Sequence, residues 1–305
     1  MTTSLVKVKD TKTNFEIEYA MEDRLKRNLD EGIIPDLHKK DKDFFLVIDG
    51  REGAGKSTLA MQIGKYVDNT LDLSRIVFSP EDFRKAILSA DKGQCIIYDE
   101  AFTGFSSRSS LSPINKVLVS LAMQMRQKNL FIIIVLPTIF LLDKYIAIFR
   151  AKALIHVHEN KGRRGYYRIY NSNKKRYLIL MGQKTMTYNI KGLYTNNKGR
   201  FYGKFVLGDE IVEQEYLRKK EKALANSEKT SMSSQQVKFK EQRNLMMWIL
   251  RKNLKLSYRE MSELLAEYDW DISYVQIRAI CVKFGDKETE KDKKEIKERE
   301  ESDNS

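Results

Sequence analysis

The octapeptide Gly-Arg-Glu-Gly-Ala-Gly-Lys-Ser at residues 50–57 constrains the fold of this chain more than any other segment. It satisfies the pattern G-x-x-x-x-G-K-[ST], in which a glycine-rich backbone turns its N–H groups onto phosphate oxygens. An apolar, β-prone run at 44–48 precedes it, and apolar residues at helical spacing follow it over 57–67. A strand, a glycine loop and a helix N-terminus together form a phosphate-binding site. The sequence therefore predicts binding of a nucleoside triphosphate.

The residues of this loop are the candidate ligands of the nucleotide. We expect Lys56 to reach the β- and γ-phosphates and the Ser57 hydroxyl to hold Mg²⁺. The candidate nucleotide-binding residues of the loop are Gly50, Arg51, Glu52, Gly53, Ala54, Gly55, Lys56, Ser57 and Thr58.

A second acidic motif follows downstream, where the apolar run at 94–98 ends in Asp99-Glu100. An apolar strand closed by two carboxylates is typical of a Walker B motif. There Asp99 would contact Mg²⁺ and Glu100 would polarise the attacking water. A solvated carboxylate pair is the alternative, which the phosphate loop upstream makes less favourable.

The segments between and after these motifs alternate between strand and helix patterns. Strands are predicted at 75–78, 94–98, 129–136 and 153–157, and helices at 79–89, 114–128 and 141–148. Such alternation predicts an α/β protein with three layers and a mainly parallel sheet. The strand at 129–136 is almost wholly apolar, which is typical of burial on both faces. Thr138 follows its carboxyl end, where open α/β sheets place residues that sense a ligand.

This order of phosphate loop, Walker B strand with a trailing glutamate and very apolar strand resembles the RecA-like (additional-strand, catalytic-glutamate) division of P-loop ATPases. Residues 134–138, with Asp143 and Arg150, are similar to the zonula-occludens-toxin-like and HerA/FtsK groups, which are DNA-pumping or assembly motors of viruses, plasmids and cells. The resemblance covers 44–158. It implies ATP as the substrate, in agreement with the absence of a guanine-reading Asn-Lys-x-Asp from the sequence. Many such motors carry glutamine where this chain has Thr138.

The same resemblance implies a ring of identical subunits, in which an arginine from a neighbour neutralises charge in the transition state. Arg126 and Arg150 flank the apolar strand and rank first for this role, ahead of Arg108. The catalytic candidates are therefore Glu100, Lys56, Arg126 and Arg150, and the metal ligands are Ser57 and Asp99.

A strongly basic window follows the ATPase core. Residues 160–204 contain twelve Lys or Arg, eight aromatic residues and no Asp or Glu. We expect a hairpin here, with strands at 166–170 and 176–180 joined by a turn at 171–173. Cations beside aromatic rings are suited to phosphate contacts and base stacking, and the alternative is a solvated face whose tyrosines pack on the core. The candidate nucleic-acid residues are Arg163, Arg164, Arg168, Lys174, Lys175 and Arg176.

The C-terminal region shows three short helical patterns, at 242–252, at 258–268 behind a capping box that begins at Ser257, and from Ser273 onward. This arrangement resembles a helix-turn-helix DNA-binding domain, and a trihelical oligomerisation or docking module is the alternative. In the first interpretation Tyr274, Gln276 and Arg278 face the groove or the DNA backbone.

These patterns divide the chain into six segments. They are an N-terminal helical extension (1–43), the ATPase core (44–158), a basic aromatic β-rich extension (159–208), a charged helix and linker (209–236), a helix-turn-helix-like domain (237–285) and a charged tail expected to be disordered (286–305). Two isolated cysteines and the lack of an apolar signal core favour the cytoplasm, and the longest apolar run, eight residues, excludes membrane insertion.

Three functions are compatible with these features. The favoured one is a nucleic-acid-dependent ATPase, an oligomeric motor that translocates or packages double-stranded DNA for a virus or mobile element. An ATP-dependent DNA-binding switch in transposition, partition or transcription would use the same parts without translocation. A kinase is the third, although Asp99-Glu100 followed by a sensor strand favours hydrolysis.

Overall fold

The computed structural model describes residues 2–10, 14–99, 107–229, 234–268, 270 and 272–285. The chain divides into two compact units, Met1–Lys229 and Thr230–Ser305. None of the helices in the described ranges is long and apolar enough to cross a membrane.

The N-terminal segment begins with a β hairpin, so the prediction of a helical extension over 1–43 was wrong for its first half. Strands β1 (Thr3–Lys9) and β2 (Glu16–Glu22) pair antiparallel in full register. Their alternating pattern, with Val6, Val8 and Tyr19 inward, has the period of two that a half-buried hairpin requires. Two helices, α1 (Asp23–Asn28) and α2 (Ile34–His38), follow as predicted.

The centre of the first unit is a sheet of seven strands in the described part of the chain, in the order β4-β5-β6-β3-β7-β8-β9. The strands are β3 (Phe44–Gly50), β4 (Ile76–Val77), β5 (Cys95–Asp99), β6 (Phe131–Leu136), β7 (Ala153–Asn160), β8 (Arg163–Asn171) and β9 (Lys198–Arg200). The first five in this order run parallel, and β8 and β9 add antiparallel. The mainly parallel α/β sheet predicted from the sequence is confirmed.

Strand β6 lies between the phosphate-loop strand β3 and the strand β5 that ends at Asp99. All six residues of β6 are buried, because the sheet carries a hydrophobic core on each face. Ile133 and Val135 face one core, while Ile132 and Ile134 face the other.

Five longer helices accompany the sheet in the described part of the first unit. They are α3 (Lys56–Val67), α4 (Pro80–Ser89), α5 (Ser107–Gln127), α6 (Ser172–Gly182) and α7 (Glu210–Lys229). Helix α4 begins as predicted, because the Ser79 hydroxyl accepts from the Asp82 N–H at 3.1 Å and Pro80 occupies the first turn. The helix predicted at 141–148 is instead a 3₁₀ turn at Ile139–Leu141 and a π-helical turn at Ile146–Arg150.

The predicted hairpin at 166–180 was also wrong. Strand β8 pairs with β7, and the chain then enters α6 instead of a second strand. Asn171 caps this helix, since its side chain accepts from the Lys174 N–H at 3.1 Å. The inward residues Lys175, Leu178, Ile179 and Gly182 recur at helical spacing.

The described part of the second unit contains the helices α8 (Ser234–Leu254), α9 (Tyr258–Ala266) and α10 (Tyr274–Lys283). The capping box of Ser257 and Glu260 is present at the start of α9. Met247, Met261 and Ile277 form a small core among the three helices. A trihelical unit is therefore present, and its helix-turn-helix role in DNA binding stays a prediction.

Candidate functional site: a phosphate loop at the carboxyl edge of the sheet

The loop between β3 and α3 contains three glycines in the left-handed region of backbone space. Their φ angles are +139° at Gly50, +70° at Gly53 and +93° at Gly55. Gly55 occupies the N-cap position of α3, and a Cβ there would lie 3.0 Å from the Phe201 ring. Glycines in these conformations let successive N–H groups of a loop turn toward a bound anion at a helix N-terminus, as phosphate binding requires.

Lys56 bends back over this loop. Its Nζ donates to the Gly50 carbonyl at 2.7 Å and to the Arg51 carbonyl at 2.9 Å. Burial lowers the pKa of Lys56, while the nearby carboxylates of Asp99 and Asp49 oppose that effect. The ammonium group is therefore already held at the loop where phosphate oxygens would bind.

Ser57 and Asp99 meet beside the loop, as the sequence predicted for metal ligands. The Ser57 hydroxyl donates to Asp99 Oδ1 at 2.9 Å, and Asp99 is buried at the end of β5. A hydroxyl and a carboxylate are hard oxygen donors of the kind that Mg²⁺ takes beside nucleotide phosphates. The two residues therefore fit a Mg²⁺ ion.

Two residues of α7 contact the Ser57–Asp99 pair, and the sequence analysis predicted neither of them. The Tyr216 hydroxyl donates to Asp99 Oδ2 at 2.7 Å. Lys220 Nζ donates to the same oxygen at 2.9 Å and to the Ser57 hydroxyl at 3.0 Å. Their spacing of four residues on a charged helix was the available signal, since it places both on one face.

A buried polar network lies behind the phosphate loop. Asp49, the residue before Gly50, is fully buried and accepts from the Ile139 N–H at 2.8 Å and from the Tyr188 hydroxyl. His156 Nδ1 lies 2.8 Å from the other Asp49 oxygen. The Thr138 hydroxyl, predicted to sense the nucleotide, lies 2.8 Å from the Tyr188 hydroxyl. Thr138 is thus joined to the loop strand through Tyr188 and Asp49.

The predicted trans-acting arginines lie at the opposite edge of the sheet. Arg126 is exposed near the end of α5, before β6 begins. Arg150 Nη2 pairs with Asp43 at 2.6 Å, just before β3 begins. Neither arginine adjoins the phosphate loop of its own chain. Glu100 lies outside the residues that the structure describes, so its catalytic role stays a prediction.

The basic window has several environments instead of one continuous face. Arg163 and Arg164 are exposed at the tip of the β7–β8 hairpin, and the Arg164 guanidinium lies 4.0 Å from the Cβ position of Gly53. Arg168 and Arg176 are exposed elsewhere, and Lys174 is half-buried.

Lys175 is not available to nucleic acid, and its inclusion in the predicted interface was wrong. The side chain is fully buried, and its Nζ donates to the carbonyls of Ala147 and Ile148. It satisfies these groups at the end of the π-helical turn, because α6 packs there. Burial lowers the pKa of Lys175 to about 8.

Rings and one guanidinium form a row across strands β7, β8 and β9, which we call the aromatic row. It begins with Tyr188 stacked on His156 at 3.9 Å between centroids. The remaining steps are His156 to His158 at 6.0 Å, His158 to Tyr166 at 6.4 Å, Tyr166 to Arg200 at 5.3 Å and Arg200 to Tyr202 at 5.0 Å. Its outer end is open, since Tyr202 is 49% exposed.

In the second unit, Gln276 is exposed, while Tyr274 and Arg278 are half-buried. All three lie on α10, the helix that the helix-turn-helix interpretation places in the groove. Tyr274 packs partly against the small core of that unit.

The loop geometry, the Ser57–Asp99 pair and the position of β6 together define the class of protein: the chain is a P-loop NTPase. A family model described as Novel STAND NTPase 3 (nSTAND3) matches residues 37–146. This range contains the phosphate loop, Asp99 and β6, but not β8, β9 or the second unit. The predicted nucleotide-binding core is thereby supported as an NTPase, while ATP as its substrate and the bounds 44–158 stay predictions.

Two solved structures are similar to the chain at low identity. The crystal structure of the N-terminal domain of zonular occludens toxin from Neisseria meningitidis is 17% identical, covers 43% of this chain and 84% of its own, and gives a TM-score of 0.30. AMPPCP-bound DnaA from Aquifex aeolicus is 15% identical, covers 96% of both chains and gives a TM-score of 0.31. Scores this low assign no activity. A search of the curated proteins found no match.

Proposed function

We propose that the protein is a Mg²⁺-dependent ATPase stimulated by nucleic acid, acting as an oligomeric motor on DNA. The ATPase part rests on the phosphate loop and the Ser57–Asp99 pair described above. The nucleic-acid part rests on a different observation, the aromatic row and the cations around it. That row carries the proposal, because it supplies the two contacts that a nucleic-acid strand needs.

The outer half of the aromatic row is suited to stacking against bases. The Arg200 guanidinium lies over the rings of both Tyr166 and Tyr202, which places a cation beside two aromatic side chains. A base stacked on an aromatic side chain contributes about 1–3 kcal/mol to binding, and this contribution is tolerant of sequence. Arg168, on the neighbouring strand, adds an exposed cation for the phosphate backbone.

The aromatic row also connects this surface with the nucleotide site. Its inner end, Tyr188, bonds to Asp49 directly before the phosphate loop and to Thr138 at the end of β6. A strand bound at the outer end would therefore contact a continuous set of side chains that reaches the loop. This connection supports stimulation of turnover by nucleic acid.

Within the nucleotide site, each residue has a defined task. Lys56 and the loop N–H groups bind the phosphates, and Ser57 with Asp99 would hold Mg²⁺. When bound, Mg²⁺ neutralises charge on the β- and γ-phosphates. We assign Glu100 to orient the attacking water, and Arg126 or Arg150 of another copy to the transition state.

The proposal is tested by phosphate release from ATP with and without double-stranded and single-stranded DNA, at two salt concentrations. We expect stimulation by DNA that weakens with salt and turnover that is lost in Glu100→Gln. Tyr202→Ala should weaken the response to DNA about tenfold, as loss of one stacking contact predicts. Tyr194→Ala is the matched control, because Tyr194 is also exposed and lies outside the aromatic row.

Each alternative gives its own result. A rate of phosphate release that does not change when DNA is added would reject the proposal of a nucleic-acid-dependent ATPase. Stimulation without displacement of a third strand from a triplex substrate would favour a DNA-binding switch over a motor. Phosphate transfer to an added nucleoside or oligonucleotide would favour a kinase.

A further inference from the structure

The ammonium group of Lys220 lies where a metal ion held by Ser57 and Asp99 would be expected. Its Nζ is 3.0 Å from the Ser57 hydroxyl and 2.9 Å from Asp99 Oδ2. These are the two oxygen ligands assigned above to Mg²⁺. Lys220 is therefore a cation of the chain itself at the metal position.

The helix that carries Lys220, α7, is held next to Asp99 by a second residue. Tyr216, one turn earlier on α7, is buried, and its ring packs against Phe78 and Phe205 at centroid distances of 6.0 and 5.9 Å. Its hydroxyl donates to Asp99 and lies 3.3 Å from Lys220 Nζ. The position of Lys220 is thus set by packing as well as by charge.

The charges around Ser57 and Asp99 favour one cation at this position, either Lys220 or a metal ion. Asp99 is the carboxylate that Lys220 pairs with at 2.9 Å, and a second cation, Lys56, immediately precedes Ser57 in the sequence. Adding Mg²⁺ while Lys220 stays would put a divalent ion and an ammonium group on the same two oxygens. Like charges at such short distances repel strongly in a partly buried site.

We propose that Lys220 competes with Mg²⁺ for Ser57 and Asp99, so that binding of the Mg²⁺-nucleotide complex displaces Lys220 and loosens the docking of α7. The inference rests on the proposed Mg²⁺-dependent nucleotide binding. Helix α7 is the last element of the first unit, and the chain continues from it into the second. Occupancy of the metal position therefore controls how firmly α7 is docked on the first unit.

The test is a Mg²⁺ titration of the full chain, read as fluorescence of a bound methylanthraniloyl-ATP analogue. Lys220→Met should bind the analogue at about tenfold lower Mg²⁺ concentration, since loss of a charge-assisted bond to Asp99 removes the competitor. Lys220→Arg keeps the charge and should resemble the wild type. Lys222→Met is the matched control, an exposed lysine on the same helix.

Hydrogen exchange provides the second readout. In the wild type, amides over residues 210–225 should exchange faster once Mg²⁺ and the nucleotide analogue are present together. In Lys220→Met they should exchange at nearly the same rate in both states. Unchanged exchange in the wild type, or a higher Mg²⁺ requirement in Lys220→Met, would overturn the proposal and make Lys220 a phosphate or structural ligand.

A metal-only measurement separates this inference from the proposed function. Mn²⁺ binding without nucleotide, followed by electron paramagnetic resonance, should be tighter in Lys220→Met than in Lys222→Met. Equal Mn²⁺ affinity overturns the competition. Tighter Mn²⁺ binding in a chain that binds no nucleotide would keep the competition and reject the ATPase.

Discussion

Replacing Lys175 with methionine should change how the stability of the protein depends on pH. The wild-type ammonium group is fully buried in α6, where it bonds to the carbonyls of Ala147 and Ile148. Burial lowers its pKa from 10.5 to about 8. Methionine has nearly the same length and no titrating group, so the variant isolates the proton.

The direction in which stability changes with pH depends on the pKa of Lys175 in the folded and in the unfolded chain. Between pH 8 and 10.5 the unfolded chain holds a proton on Lys175 that the folded chain has released. Stability therefore rises with pH across this window, because the unfolded state binds more protons. At about 1.4 kcal/mol for each pKa unit, the free energy of unfolding of the wild type relative to Lys175→Met should increase by about 3 kcal/mol from pH 8 to pH 10.5.

Urea unfolding at several pH values, followed by far-UV circular dichroism, measures this difference. Both tryptophans, Trp248 and Trp270, lie in the second unit, so their fluorescence reports that unit separately. Lys184→Met serves as the control, since Lys184 is exposed. A constant difference between wild type and Lys175→Met over this pH range would refute the assignment of a lowered pKa.

Two further substitutions test the nucleotide site. Gly55→Ala should lower stability by about 1–2 kcal/mol and weaken binding of the nucleotide analogue, because φ is +93° there and Phe201 crowds the new Cβ. Wild-type urea midpoint and affinity in this variant would contradict the loop conformation. Tyr188→Phe should lower the free energy of unfolding by about 1–3 kcal/mol, since buried Asp49 loses a donor. A midpoint equal to that of the exposed control Tyr194→Phe would show that the Asp49 network contributes nothing.

The parts that the sequence predicted well are those encoded by local pattern. The phosphate loop needs glycines at fixed positions, and a doubly buried strand such as β6 needs an unbroken apolar run. The capping box at Ser257 is equally local, since both partners lie within one turn. These features require no knowledge of distant contacts.

The errors arose where one pattern has two physical solutions. Asn171-Ser172-Asn173 suits a turn as well as a helix N-cap, because these side chains bond to nearby backbone N–H groups in both. Burial of Leu178 and Ile179 against the core decides for the helix. Lys175 was assigned to the nucleic-acid interface because a lysine in a basic segment is normally exposed. Its burial depends on carbonyl groups that lie 27 and 28 residues away in the sequence, which no local pattern shows.

Local spacing places Tyr216 and Lys220 on one face of α7, but no local pattern shows that this face contacts Ser57 and Asp99. Lys220 and Ser57 are 163 residues apart, and the sequence of the helix that carries Lys220 is typical of a solvated charged connector. Only the tertiary position of Tyr216 turns that face toward Asp99.

The positions of the two candidate arginines decide how each could assist hydrolysis. The phosphate loop lies at the carboxyl edge of the sheet, and Arg126 and Arg150 lie at the amino edge. A strand of five or six residues spans about 17–20 Å, so neither arginine reaches the nucleotide of its own chain. A role in catalysis therefore requires a head-to-tail assembly, in which the amino edge of one copy faces the carboxyl edge of the next. Arg150 would first have to leave Asp43, with which it forms a half-buried ion pair. Breaking such a pair leaves an uncompensated charge, so we place the exposed Arg126 ahead of Arg150 for this role.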